Sequence, residues 1–313
     1  MDHFLLCFNA IMPLLLLMLL GYGLRQWGFL SQEGFDAMDK LCFQVLIPAM
    51  LFANVYGADF STQFHLDAVV FMELALVVIF VVSYLAVPRL MPDRADAAAV
   101  IHGICHGNLA VLGMPLILNL FGEGEVAVYS IMMACTSPLV NPLMVFEHVS
   151  LGGETVRPGK LVRNIFTSPY LVGTLAGIAC KVLGITFPVF LDTTISNLKS
   201  IASPLCLIAL GGSFTFQSIR GHFAQVVHSV LFKCVWIPAV VLGIAVALGF
   251  RGIVLASLLV IFCCPSAAAT YSFCTGYCGN ASLASQIVVY STVFSIVSMF
   301  LWLFAFLQLG LFS

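Results

Sequence analysis

Charge is what this sequence has least of. Only 8% of its 313 residues are Asp, Glu, Lys or Arg, against roughly a quarter in an ordinary soluble domain. That scarcity excludes a water-facing surface of the usual kind, and a net charge of -2 gives no stripe of positive charge for nucleic acid. Catalytic motifs are missing as well: there is no Gly-x-Ser-x-Gly elbow, no His-Glu-x-x-His and no phosphate-binding loop. Neither hydrolysis nor nucleotide-driven pumping has residues to carry it, and no enzyme is expected. The 11 cysteines are odd in number and lie almost entirely inside apolar runs, where they act as small hydrophobes, so no disulfide framework follows. Cys274 and Cys278 share a helical face, but with no neighbouring His or carboxylate they make a poor metal site. Met1, Asp2 and His3 supply no basic segment ahead of the first apolar run, which therefore reads as a retained helix and not as a cleaved leader.

Apolar residues are what the chain has in excess, at 61%. A bilayer crossing takes about 20 of them, and ten runs of that order fill the sequence, at 4–25, 36–56, 65–88, 95–121, 124–146, 164–184, 193–217, 223–249, 253–276 and 281–311. The expected fold class is an all-α membrane protein of ten transmembrane helices. A polar stretch from Glu147 to Arg163 divides it into five spans plus five: residues 1–150, a cytoplasmic linker at 151–163, and residues 164–313. With the N-terminus outside, the inner loops carry Arg25, Lys40, Arg89, Arg94, Arg157, Lys160, Arg163 and Arg220, and the outer side only Lys181, Lys199 and Arg251. The positive-inside rule then places both termini on the extracytoplasmic face. Five spans per half insert the second half upside down, and a shift of 156 residues (169 − 13) supports such inverted repeats. It places Pro13 on Pro169, Gly21 on Gly177, Arg25 on Lys181, Gly28 on Gly184, Asp36 on Asp192, Pro48 on Pro204 and Phe60 on Phe216.

Two spans are interrupted. Span four contains Gly107-Asn108 and Gly113-Met114-Pro115, and span nine contains Cys264-Pro265-Ser266. Gly and Pro weaken a helix, and both breaks fall near the midplane at a rise of 1.5 Å per residue. Broken backbone at that depth is tolerated only where it lines a cavity or is sheltered by protein, so the breaks are expected to cross at a binding site. Each half-helix would begin there with its positive dipole end, which suits an anion. The candidate binding residues are Asn108, Gly113, Pro115, Pro265 and Ser266, with a plain proline kink as the alternative for each break. Asn141, on one face of span five with Ser137, is a further candidate to reach a carboxylate. Glu73 and Lys233 are charges well inside spans three and eight, where insertion costs about 2.5–3.5 kcal/mol each. Facing the interior, they would pair with each other or change partner during transport, with a static pair and a snorkelling lysine as the alternative. His102 and His106 share a face of span four; imidazoles can carry protons near neutrality, or form interhelical hydrogen bonds. Gly211-Gly212 reads as close helix packing.

With these positions in view, the sequence resembles the auxin efflux carrier family. The resemblance runs nearly end to end. It is carried by Pro13 with Gly21-Tyr22-Gly23-Leu24-Arg25, by Gly28-Phe29-Leu30-Ser31 and Leu46-Ile47-Pro48-Ala49-Met50-Leu51-Phe52, by Asn108 with Gly113-Met114-Pro115, by Asn141-Pro142-Leu143, and by Pro265 followed by Leu283-Ala284-Ser285. It implies a ten-helix inverted repeat with a scaffold part (spans 1, 2, 6 and 7) and a transport part (spans 3–5 and 8–10). Asn108, Pro115 and Pro265 match the family's crossover. The implied substrates are organic anions such as auxin, malonate or another small carboxylate. A long central cytoplasmic loop, as in plant exporters, is absent, so the chain looks like the compact bacterial permeases of the inner membrane. The expected function is a secondary carrier for a small organic anion, working by alternating access without a cofactor. Coupling to protons, to sodium or to neither stays open. Its expected partners are that anion and the lipid bilayer, with no nucleic acid, and a homodimer is compatible with it. A sodium-coupled symporter of the bile acid carrier type and a non-transporting membrane sensor are the competing readings.

Overall fold

The computed structural model describes residues 2–57, 65–152, 169–214, 221–276 and 279–312. Within them the regular structure is helical apart from one isolated bridge. In chain order the helices are α1 (Asp2–Gln26), α2 (Gln32–Leu41), α3 (Ile47–Gly57), α4 (Leu66–Leu90), α5 (Arg94–Cys105), α6 (Met114–Phe121), α7 (Val126–Leu151), α8 (Pro169–Val182), α9 (Val189–Gly212), α10 (Phe223–Leu231), α11 (Ile237–Ala247), α12 (Gly252–Cys263), α13 (Ala269–Gly276) and α14 (Ala281–Gln308).

Among the described residues, seven stretches are long and apolar enough to cross a membrane: His3–Gln26, Gln32–Gly57, Leu66–Leu90, Val126–Leu151, Val189–Gly212, Phe223–Ala247 and Ala281–Gln308. Leu109–Phe121, Leu171–Val182 and Gly252–Cys263 are apolar but shorter. Of the ten runs expected from sequence, seven coincide with helices of crossing length, and the other three appear among the described residues only as shorter apolar helices. Spans four and nine fall short because each is broken in its middle, and the sixth starts in residues outside the described set. Most of the 151–163 linker, with Arg157, Lys160 and Arg163, lies outside it too, as do Phe60, Phe216, Arg220 and Cys278.

Three wide, π-helical turns interrupt the helices, at Cys42–Leu46, Leu109–Gly113 and Phe232–Trp236. Each is followed two residues later by a proline: Pro48, Pro115 and Pro238. The pattern has a steric cause. Proline has no N–H, and its ring collides with the carbonyl four residues back. Widening the preceding turn shifts the bonding by one residue, and the amides of Ile47 and Ile237 accordingly donate to Cys42 and Phe232, five residues back.

The chain divides into two compact units. Unit 1 is Met1–His65, Ala110–Ser137 and Arg163–Phe214; unit 2 is Leu66–Leu109, Pro138–Val162 and Thr215–Ser313. Unit 1 is built on glycine seams. A Cβ on Gly21 would sit 1.9 Å from the Ile208 carbonyl oxygen, and one on Gly211 1.9 Å from that of Met18, so α1 and α9 meet backbone to backbone. Gly173 and Gly177 do the same for α8 against α3, where a Cβ would lie 2.5 Å from the Pro48 oxygen and 2.8 Å from that of Phe52. Close approach of this kind is what small residues supply between membrane helices, where there is no water to drive association. The reading of Gly211-Gly212 as a packing element therefore holds. At the ends of α1 and α8, Gly28 and Gly184 take positive φ values of 69° and 64°, which only glycine adopts without strain. The amide of Gly28 donates to Arg25 and that of Phe29 to Leu24; Gly184 and Ile185 repeat this with Lys181 and Cys180.

Unit 2 buries an apolar core from α4, α5, α7, α10 and α14, including Phe80, Ile101, Met144, Val230, Leu283 and Ile287. Asp93 caps α5 by accepting from the Ala95 amide at 2.8 Å. Asn280 caps α14 and donates its side-chain N–H to Asp96 at 2.8 Å, fastening the two helix starts together. Span five departs from the sequence reading. Instead of ending at 146, α7 runs on to Leu151, and Met144, Glu147, His148 and Leu151 form one buried face at helical spacing. Glu147 and His148, expected at the head of the polar linker, are fully buried.

The seams give a direct test. Gly211→Val is expected to lower the thermal unfolding temperature in detergent, at a cost of about 1–3 kcal/mol for overpacking. Gly243→Ala, where nothing lies within 4 Å of an added Cβ, is expected to be neutral or to stabilise by up to about 1 kcal/mol.

Candidate functional site

The two interrupted helices meet within unit 2. α5 stops at Cys105, and His106 turns extended (φ −103°, ψ 107°); α12 stops at Cys263, and Cys264 does likewise (φ −55°, ψ 139°). The freed segments pair as the smallest possible antiparallel ladder, with Gly107 opposite Ser266. Asn108 N–H donates to the Pro265 carbonyl at 2.8 Å, and Ala267 N–H donates to the His106 carbonyl at 2.9 Å. Ser266 adds two more fastenings: its amide donates to Ser291 Oγ at 3.1 Å, and its hydroxyl donates to the Gly103 carbonyl at 2.6 Å. An unpaired peptide group in an apolar interior costs several kcal/mol, so these bonds are what allow both helices to be broken here. They also consume the amides of Asn108, Ser266 and Ala267, which are therefore not offered to a solute.

The side chains around the crossing are left in a different state. Asn108 is buried, and its Nδ2 has no hydrogen-bond partner. Thr270, in the first turn of α13, is fully buried with its hydroxyl likewise unpartnered. Lys233 is 5% exposed, and its Nζ lies 3.4 Å from where a Cβ on Gly107 would be. No carboxylate forms an ion pair with it among the described residues. Glu73 does not pair with Lys233: both of its carboxylate oxygens are buried without a hydrogen bond. The crossing thus gathers one ammonium and two orphaned donors with nothing negative among them.

The sequence candidates separate. Asn108, Pro265, Ser266 and His106 come together at the crossing. Asn141 is half-buried on α7 in the same unit. Gly113 and Pro115 belong to unit 1, where Pro115 lines a pocket with Pro13, Met50, Asn54, Asn119 and Pro204. Asn54 donates there to Ser130 Oγ at 3.2 Å and keeps its own carbonyl oxygen unpartnered. An ion pair of Lys199 with Glu123 also lines that pocket.

Three imidazoles form a chain leading away from the crossing. His106 Nδ1 lies 3.0 Å from His102 Nε2, and His102 Nδ1 lies 3.0 Å from His148 Nε2. Glu147 Oε2 stands 3.6 Å from the same His148 nitrogen. Phe273 packs against His102 at a centroid distance of 4.7 Å and seals the group. His102, Glu147 and His148 each bring a donor atom within 4.8 Å of the others. His148 and Glu147 were missed from sequence, where they open a polar stretch.

The chain is similar in sequence to known membrane transporters. The family described as membrane transport protein matches residues 6–303. An uncharacterized transporter of Methanothermobacter thermautotrophicus is 26% identical over 296 residues, covering 94% of this chain and 96% of its own. One from Methanocaldococcus jannaschii is 22% identical over 305 residues, covering 94% and 97%. A protein of Rhizobium meliloti described as "Putative malonate transporter" is 22% identical over 250 residues, 77% of each chain. With its broken helices paired, its motifs in order and the match spanning almost its whole length, the chain belongs to the membrane transport protein family, that of the auxin efflux carriers, and is a multi-pass membrane transporter.

Proposed function

We propose that the chain is a secondary carrier for a small organic anion, a mono- or dicarboxylate, which it binds at the crossing in unit 2. The observation that carries this reading is the unpaired ammonium of Lys233 beside the crossing, with the free donors of Asn108 and Thr270. A buried cation without a counter-charge is costly, and an anionic solute supplies both the missing charge and the missing acceptors. The R. meliloti relative, whose description names malonate, points to the same chemical class.

The reading includes inverted five-helix repeats at 1–150 and 164–313. Support comes from matching parts. Gly28 and Gly184 end their helices with the same turn. Gly21 seats α1 on α9 while its repeat partner Gly177 seats α8 on α3, exchanging the first helix of each half onto the second of the other. The broken spans match in length, with 12 residues in α5 and α12 and 8 in α6 and α13. Alternating access follows from displacement of one unit against the other. The chain passes between units at Leu109–Ala110, directly after Asn108, so such a displacement acts on the backbone of the site itself. Both termini lie on the extracytoplasmic face of a bacterial inner membrane, and a short epitope at either end is expected to be accessible in intact spheroplasts.

Uptake of radiolabelled mono- and dicarboxylates into proteoliposomes tests the carrier directly. Asn108→Ala is expected to slow uptake of the transported acid about 10- to 100-fold, the loss of one hydrogen bond to a charged group at about 1.5–3 kcal/mol. Lys233→Met is expected to abolish uptake while raising the unfolding temperature, because it removes a buried charge that only the solute pairs. Normal uptake by Lys233→Met would overturn the anion site. Uptake that requires sodium would favour the bile acid carrier type, and binding without translocation would favour a sensor.

A further inference from the structure

We infer that His106, His102, His148 and Glu147 form a buried proton-binding chain whose inner end opens on the crossing, making this carrier a proton–anion symporter. For its consequence this rests on the carrier reading above; the chain itself rests on geometry alone. The group spans two helices, α5 and α7, with its links at 3.0 Å. Each link joins two ring nitrogens and so holds one hydrogen, donated by one ring and accepted by the other. A run of neutral imidazoles is then directional: if His148 Nε2 donates to His102 Nδ1, then His102 Nε2 donates to His106 Nδ1. The opposite order requires every ring to change tautomer. Such a run passes a proton by forming one N–H bond for each that breaks.

Glu147 fixes which way the run points. Its Oε2 approaches His148 Nε2 at 3.6 Å, a small torsional adjustment from a hydrogen bond, and neither carboxylate oxygen has another hydrogen-bond partner. As a carboxylate it favours a hydrogen on that nitrogen, so a proton entering the run is stored as a His148 imidazolium beside it. The step balances with one proton and no change of oxidation state. From that state the His148 Nε2–H bond breaks as His102 Nδ1–H forms, and His102 Nε2–H breaks as His106 Nδ1–H forms, so each link holds one hydrogen throughout. His148 is left neutral, Glu147 stays an anion and His106 becomes a cation at the crossing.

The remaining ionisable groups around the chain fit this direction. Lys233 Nζ lies against the backbone of Gly107, the residue that follows His106. On α4, Tyr84 donates to Ser150 Oγ at 2.9 Å, and Ser150 donates to the Glu147 carbonyl at 2.9 Å, holding the end of α7 in place. A cationic His106 beside Lys233 is unfavourable until an anion sits at the crossing, so proton and anion occupy the protein together. A metal centre is the obvious rival for His102, Glu147 and His148. The two nitrogens stand at a hydrogen-bond length of 3.0 Å, and zinc binding separates the two readings.

The test has two arms. In proteoliposomes, with protein-free vesicles as the control for passive acid entry, an acid-outside gradient is expected to accelerate uptake of the transported carboxylate at least fivefold over equal pH. Glu147→Gln and His102→Phe are expected to bring that ratio to about one, and Glu147→Asp to restore part of it. In the second arm, ¹⁵N spectra of histidine-labelled protein in detergent, without solute, are expected to show three rings changing tautomer together on one titration that Glu147→Gln removes. A gradient ratio of one in the wild type, or three rings titrating independently, overturns the inference. So does one equivalent of bound zinc that Glu147→Gln releases. If no acid is carried under any condition but the rings titrate together, the proton chain stands and the carrier reading falls.

Discussion

A peptide group removed from water must find its partner inside the protein, and in this molecule that constraint is sharpest where two helices are broken at once. Neither break could exist alone. The segment after Cys105 supplies the acceptor for Ala267, and the segment after Cys263 supplies the acceptor for Asn108, so each interruption is the cure for the other. Bringing two backbones into hydrogen-bonding range also dictates their neighbours. Gly103 lets α5 and α14 approach, since a Cβ there would press on Ile287 at 2.7 Å, and Ser266 ties its own hydroxyl to the carbonyl of that same glycine. The small residues at the crossing are consequences of the bond pair.

Once the backbone is satisfied, the side chains are free to be unsatisfied, and unit 2 uses that freedom. Lys233, Glu73 and Glu147 are ionisable groups whose charged atoms are removed from water, and none sits in a close ion pair with another. A sequence selected for stability alone would replace them with apolar residues. Keeping them makes sense in a protein whose resting state is meant to be incomplete, with a mobile solute or proton arriving to complete it. The apolar exterior raises the stakes, because such charges cannot borrow solvation from the lipid.

Much of this was legible in the sequence because its cues are local. Gly107-Asn108 and Cys264-Pro265 announce broken helices by chemistry that no tertiary context can repair, and Gly21 with Gly211-Gly212 announces close contact by leaving out a side chain. Lys233 stood out because a charge inside an apolar run is expensive wherever it points. What it points at was not legible: repeat symmetry suggested Glu73, whereas the ammonium lies against Gly107. Glu147 and His148 were read as the start of a loop, since a polar pair ending an apolar run usually is one. Their burial is set by His102, 46 residues earlier, and no local signal encodes a partner at that distance. Pro115 was grouped with Asn108 by proximity along the chain, yet the packing assigns it to unit 1.

The glycine seams of unit 1 have a mechanical corollary. Where α1 meets α9 and α8 meets α3 there is no layer of side chains between the backbones, and therefore no soft material that could absorb shear by switching rotamers. Stiffness concentrates along those seams. Compliance must come from somewhere else, and the wide turns ahead of Pro48, Pro115 and Pro238 are suited to supply it, because a helix already relieved of one regular bond at each can flex there at little further cost.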